Sequence, residues 1–139
     1  MIVLDTSGLL AAVDSSQRHH QAARGALEAD DGPFLLSPFV LGELDYLVSR
    51  NVGNRAALAL LEQVAGGAYR LEPFGAQDVD AAAGLIRRYA SLDLGLADAS
   101  IVVLAARAGT IRLLTLDERH FRAVRPLKGR SFKLLPADA

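Results

Sequence analysis

The chain has no cysteine, no tryptophan, a single methionine and only two lysines among 139 residues. Without thiols there is no disulfide framework, no thiolate metal site and no cysteine nucleophile, which suits a reducing compartment. No window reaches the roughly 18 uninterrupted apolar residues that a membrane span needs. The opening Met1-Ile2-Val3-Leu4-Asp5 also lacks a basic leader, so a cytoplasmic protein is the expectation. Low-complexity stretches are missing too, and with 51% apolar and 22% charged residues the composition is that of a folded globular chain. One domain spanning residues 1–139 is expected, since nothing in the sequence reads as a linker or an internal repeat. The net charge of -1 neither demands nor excludes a nucleic-acid partner, because it says nothing about where the charges lie. Thirteen of the fifteen basic residues are arginine; codon usage in a GC-rich genome and phosphate binding both account for that bias.

What is present alternates between strand and helix patterns. Ile2-Val3-Leu4 is a continuous apolar run that stops at Asp5-Thr6-Ser7-Gly8, the pattern of a parallel strand buried on both faces. Leu9 to Val13 reads as a turn or two of helix, and His19 to Ala29 as a helix ended by Asp30-Asp31-Gly32-Pro33. Phe34-Leu35-Leu36 is a second strand. Ser37 is placed to cap a helix with Pro38 in its first turn, running to about Arg50, and a partner helix runs from Asn54 to Gly66-Gly67. Tyr69 to Pro73 reads as a third strand, and Gln77 to Ala90 as a helix burying Val79, Ala83, Leu85, Ile86 and Tyr89. Ala97 to Ala108 is small or apolar on nearly every face and must be largely buried. Ile111 to Thr115 and Phe132 to Leu135 complete the strands. Strands alternating with helices predict an α/β sandwich around a mainly parallel sheet, and such sheets bind ligands beyond the carboxyl ends of their strands.

Acidic residues stand where apolar ones are expected. Asp5 and Asp117 follow strand ends, Asp98 lies in a helix's first turn with Ile101 and Val102 on its face, and Glu43 falls on the stripe of Val40 and Leu47. Singly, each has a plain structural reading. Asp5 and Asp117 suit helix or turn caps, Asp98 suits the macrodipole, and Glu43 suits pairing with an arginine. Gathered in one crevice they form a different object, because two like charges about 5 Å apart repel by about 3 kcal/mol at an effective dielectric near 20. A bound cation removes that repulsion, and all-oxygen ligation selects a hard ion, Mg²⁺ or Mn²⁺. Zinc is not expected, since His19, His20 and His120 show no ligand spacing. A carboxylate-held ion suits phosphodiester hydrolysis. Ser7 and Thr115, each two residues from an acid, would support Asp5 or Asp117 by hydrogen bonds, or else serve ordinary turn chemistry.

The segments Ile2-Val3-Leu4-Asp5-Thr6-Ser7, Val40-Leu41-Gly42-Glu43-Leu44, Leu96-Ala97-Asp98-Ala99-Ser100-Ile101 and Leu114-Thr115-Leu116-Asp117, with Phe121 beyond, resemble the motifs of PIN-domain ribonucleases. The likeness is strongest to VapC-type toxins of bacterial toxin–antitoxin pairs, and it spans nearly the whole chain. It implies a PIN-like Rossmannoid three-layer sandwich, with about five strands in the order 3-2-1-4-5, and Mg²⁺-dependent RNA cleavage. On that likeness Asp5 and Asp98 are the principal metal ligands, Glu43 a ligand or orienter, and Asp117 the fourth acid; Asp45 and Asp93 match no required position. It further implies a homodimer, a cognate VapB-like antitoxin and a structured RNA substrate, transfer or ribosomal. Arg119, Arg122, Arg125, Lys128, Arg130 and Lys133 follow the fourth acid and would track a phosphate backbone, or form a solvated surface. The contrasting reading is a PIN-like binding module that has lost catalysis, from which an acid would be expected to be missing.

Overall fold

Five short strands, β1 (Ile2–Leu4), β2 (Phe34–Leu36), β3 (Arg70–Leu71), β4 (Arg112–Leu114) and β5 (Lys133–Leu135), form one sheet in a computed structural model that describes all 139 residues. Their order is β3-β2-β1-β4-β5 and every pairing is parallel, as the resemblance implied. Seven helices flank the sheet: α1 (Thr6–Val13), α2 (His20–Glu28), α3 (Pro38–Asn51), α4 (Asn54–Ala65), α5 (Ala76–Arg88), α6 (Leu96–Ala108) and α7 (Glu118–Ala123). None of them is long and apolar enough to cross a membrane.

β1 sits at the centre with all three residues buried, which explains its unbroken apolar run. Its register pairs Leu4 with Leu36 on one side and with Leu114 on the other. The strands therefore end level, and the residues that follow them, Asp5, Ser37 and Thr115, emerge side by side at the carboxyl edge. All three are buried polar residues, at 5%, 0% and 1% exposure.

α6 is buried along Ala99 to Ala105, as its composition demanded, and Gly109 ends it with φ 74°, a left-handed conformation that glycine adopts without strain. Ser37 caps α3 by accepting from the Phe39 N–H at 3.1 Å, and its hydroxyl meets that of Ser100 at 2.7 Å in the dry interior. Ser100 also donates to the Ala97 carbonyl at 2.6 Å. The pair joins the end of β2 to α6.

Three expectations need correction. The helix after β1 begins at Thr6 rather than Leu9, because Asp5 itself is its N-cap position. β3 is reduced to Arg70 and Leu71, both exposed, at the edge of the sheet. In α5 the buried residues are Ala82 and Leu85, whereas Ala83 is exposed and Val79 is left 44% exposed. The first turn of α5 reaches α6 through Asp78 instead, which accepts from Gly75 N–H at 2.9 Å and pairs with Arg107 at 3.1 Å.

α1 lies so close to β4 that a methyl group added at Gly8 would stand 2.6 Å from the Leu114 carbonyl carbon. Backbone at that distance must move. Gly8→Ala is expected to cost about 2–4 kcal/mol, or to prevent folding. Gly42→Ala, on an exposed stretch of α3 with open space around it, should instead gain about 0.5–1 kcal/mol. Denaturant unfolding of the two variants checks both signs.

Candidate active site

A cleft of about 420 Å³ opens at the carboxyl edge of the sheet, lined by Asp5, Glu43, Asp98 and Asp117 with Thr6, Ser7, Leu10, Tyr46 and Leu47. Four elements contribute its acids: Asp5 from the end of β1, Glu43 from α3, Asp98 from the first turn of α6, and Asp117 from the start of α7. None of the lining residues is basic, and no acid among them pairs with an arginine or a lysine.

Asp5 is the most enclosed. Ser7 Oγ donates to its Oδ2 at 2.8 Å and Thr115 Oγ1 donates to the same oxygen at 2.6 Å. Each hydroxyl is itself oriented by a backbone donor: Leu116 N–H reaches Ser7 Oγ at 3.0 Å, and Asp117 N–H reaches Thr115 Oγ1 at 2.9 Å. With those lone pairs filled, both hydroxyl protons point at Asp5. Oδ1 receives no side-chain hydrogen bond. Burial pushes the Asp5 carboxyl above the usual range, opposed by Thr115 and Ser7.

Asp98 is half-buried, and its carboxyl is pushed up to about 6, first by burial and then by the charge of Asp5, with His120 opposing. That mutual repulsion is what converging like charges produce. Asp117 caps α7, its Oδ1 accepting from His120 N–H at 3.0 Å.

Glu43 differs from its expected setting. The buried stripe of α3 is Val40, Leu44 and Val48, and Glu43 lies one position off it, exposed at the cleft rim. There it accepts from Thr6 Oγ1 at 2.8 Å. Val40 belongs to the true stripe and Leu47 lies at its edge, so standing three residues after the one and four before the other did not require burial.

The sequence reading dismissed His120, which the structure brings to the acids. Its Nδ1 lies 2.8 Å from Asp117 Oδ2 and 3.9 Å from Asp98 Oδ2. Its Nε2 donates to the Leu92 carbonyl at 2.8 Å, in the 3-10 turn Ala90–Leu92 ahead of α6. The hydrogen bond that the protonated imidazole donates to Asp117 is the main cause that holds it above its usual range. The available signal was its position three residues after a capping aspartate, on the same face of the helix. Of the basic residues that follow Asp117, Arg119, Arg125, Lys128, Arg130 and Lys133 are exposed. Arg122 is engaged by Asp138 at 2.7 and 2.8 Å and by Glu118 at 3.0 Å.

Two predictions concern this electrostatic balance. Asp98 has a folded-state value above its unfolded one, so between roughly pH 4 and 6 the folded chain binds more protons than the unfolded chain, and the ion-free fold loses stability as pH rises through that window. At pH 7 in EDTA, Asp98→Asn should stabilise the protein by on the order of 1–2 kcal/mol after allowance for solvent screening. Added Mg²⁺ should raise the melting temperature of the wild type and not of that variant. Thr115→Val removes a hydrogen bond to a buried carboxylate and should cost about 1.5–3 kcal/mol. Thermal melts across pH, with and without Mg²⁺, measure both.

The PIN-domain family model matches residues 2–126. A curated relative, Ribonuclease VapC26 of Mycobacterium tuberculosis, is 42% identical over 135 residues, 97% of this chain and the whole of that protein. Among solved structures, M. tuberculosis VapC20, described as a Sarcin-Ricin loop cleaving toxin, aligns with a TM-score of 0.83 at 23% identity, over 94% of this chain and 99% of its own. VapBC2 from Rickettsia felis, bound to a DNA fragment from its promoter, gives a TM-score of 0.67 at 21% identity, over 91% and 96% of the two chains. The motifs, the strand order and a full-length relative agree: the chain belongs to the PIN-domain family, among its VapC-type ribonuclease toxins.

Proposed function

We propose that the chain is a divalent-cation-dependent endoribonuclease that cuts structured cellular RNA, of the transfer or ribosomal class, as the toxin of a toxin–antitoxin pair. The observation that carries this reading is the convergence of Asp5, Glu43, Asp98 and Asp117 on one cleft with no arginine or lysine to neutralise them. Their donor atoms are all carboxylate oxygens, a set that fits a hard ion, Mg²⁺ with Mn²⁺ as a substitute. Asp5 and Asp98 would be its principal holders, with Asp117 as a further ligand and Glu43 as ligand or orienter from the rim. When bound, the ion supplies charge neutralisation at the scissile phosphate and acidifies water there.

The remaining work falls to the chain. Ser7 and Thr115 fix Asp5 in one orientation by holding Oδ2, and leave Oδ1 without a side-chain hydrogen bond. Leu10 and Leu47 supply apolar wall, which lowers the local dielectric and strengthens every charge interaction inside. Phosphate contacts are assigned to the exposed Arg119, Arg125, Lys128 and Arg130, while Arg122, held by Asp138 and Glu118, has less freedom to meet RNA. A ribosomal substrate is supported by the description of VapC20 as a Sarcin-Ricin loop cleaving toxin. An antitoxin partner is supported by VapBC2 and by a Klebsiella pneumoniae toxin-antitoxin complex of TM-score 0.67. A homodimer belongs to the same reading, and Tyr46, Val52 and Leu58, exposed on and beside α3 and α4, offer apolar area for a partner chain. The cytoplasm is the compartment in which such a substrate and partner are met.

Incubation of the purified protein with total RNA, with Mg²⁺ and with EDTA, tests the reading. Discrete cuts that need Mg²⁺ and fall by at least about 100-fold in Asp98→Asn are expected, an order set by the loss of a metal ligand's electrostatic contribution. Undiminished cutting by a folded Asp98→Asn protein would refute the assignment.

A further inference from the structure

His120 is not a member of the all-carboxylate set, yet its geometry is that of a metal ligand. A carbonyl oxygen only accepts, so the 2.8 Å contact to Leu92 places a proton on Nε2. In the neutral ring the lone pair then belongs to Nδ1, the nitrogen that faces the acids. Metal-ligating histidines are held in just this way, the second ring nitrogen donating to a backbone carbonyl or a carboxylate. His19 and His20 share none of this: His19 is exposed, and His20 Nδ1 is bound to the Ala11 carbonyl.

The separations bracket those of neighbouring ligand atoms. Ligand atoms about 2.0–2.2 Å from a first-row ion stand about 3.0–3.5 Å from one another when adjacent. His120 Nδ1 lies 2.8 Å from Asp117 Oδ2 and 3.9 Å from Asp98 Oδ2, and the ligand atoms of the three residues all fall within 4.8 Å of one another. Asp5 and Glu43 stand outside that grouping. We propose that Asp98, Asp117 and His120 Nδ1 form a mixed oxygen–nitrogen seat that favours a first-row transition ion over Mg²⁺. To ligate, Nδ1 would release to solvent the proton it shares with Asp117 Oδ2, and the Leu92 carbonyl would keep the ring from turning away. Imidazole nitrogen is a good ligand for transition ions and a poor one for Mg²⁺, which demands oxygen. This rests on the reading of the cleft as an ion site and adds to it a residue and a selectivity.

Isothermal titration with Mn²⁺ and with Mg²⁺ tests the seat in the wild type, His120→Gln and Asp98→Asn. Loss of the nitrogen ligand should weaken Mn²⁺ binding by about 10-fold or more while changing Mg²⁺ binding by less than about 2-fold. Equal losses for the two ions would reduce His120 to a positioning residue for Asp117, and no loss for either would remove it from the site; both outcomes overturn the proposal. A second measurement needs no variant. In wild type with ¹⁵N-labelled histidine, Zn²⁺ should shift one ring Nδ1 resonance while its Nε2–H signal persists, and three unmoved rings would overturn the seat. RNA cleavage in Mg²⁺ separates the two claims. If the wild type cuts RNA in Mg²⁺ yet binds Mn²⁺ no more tightly than Mg²⁺, the seat falls and the nuclease stands; if the wild type binds no divalent ion, both fall.

Discussion

The register between β1 and β4 is the constraint on which the site depends. Pairing Leu4 with Leu114 brings Asp5 and Thr115 to adjacent positions at the end of the sheet, and the Asp5 N–H donates to the Leu114 carbonyl at 2.9 Å. Side chains alternate faces along a strand, so a slip of one residue would turn Thr115 away from the carboxylate it serves. Gly8 guards the same geometry from the helix side, since its missing side chain lets α1 descend onto Leu114. Core packing and acid placement are thus one arrangement, set by three short strands.

Burying an anion costs free energy unless it is hydrogen-bonded, and a second anion nearby adds to the cost. The protein answers the first problem locally and leaves the second open. Two hydroxyls, each oriented by a backbone N–H, converge on one oxygen of Asp5. Asp98 is relieved less: a backbone hydrogen bond from Gly95 and the partly buried imidazole of His120 at 3.9 Å do not offset its burial and the charge of Asp5. A structural role would favour a tight ion pair at this point. On the proposed reading, that carboxyl is held strained toward protonation for a charge that arrives from outside.

Much of the architecture was written in local patterns. The bounds of β2, the Ser37 cap and the buried length of α6 all followed from apolar runs and from residues with one strong conformational preference. Asp5, Asp98 and Asp117 stood out because each interrupts such a pattern. Glu43 was found for a less secure reason, since it was read onto the core stripe and sits on the rim one residue away, a distinction that periodicity alone does not resolve. The contacts of His120 with Leu92 and Asp98, and of Arg122 with Asp138, went unseen because those partners are distant in sequence and a reading of local spacing does not connect them.

The buried contact between Ser37 and Ser100 carries an implication for how such chains diverge. Neither hydroxyl has access to water, and each completes the other's hydrogen bonding across 63 positions of sequence. A change to alanine at Ser100 leaves the Ser37 proton without its acceptor, and a change at Ser37 uncaps the Phe39 N–H as well as breaking the pair. Across related proteins a polar residue in the place of Ser37 should therefore be kept more strictly than one in the place of Ser100, and the pair would mark the seam between β2 and α6.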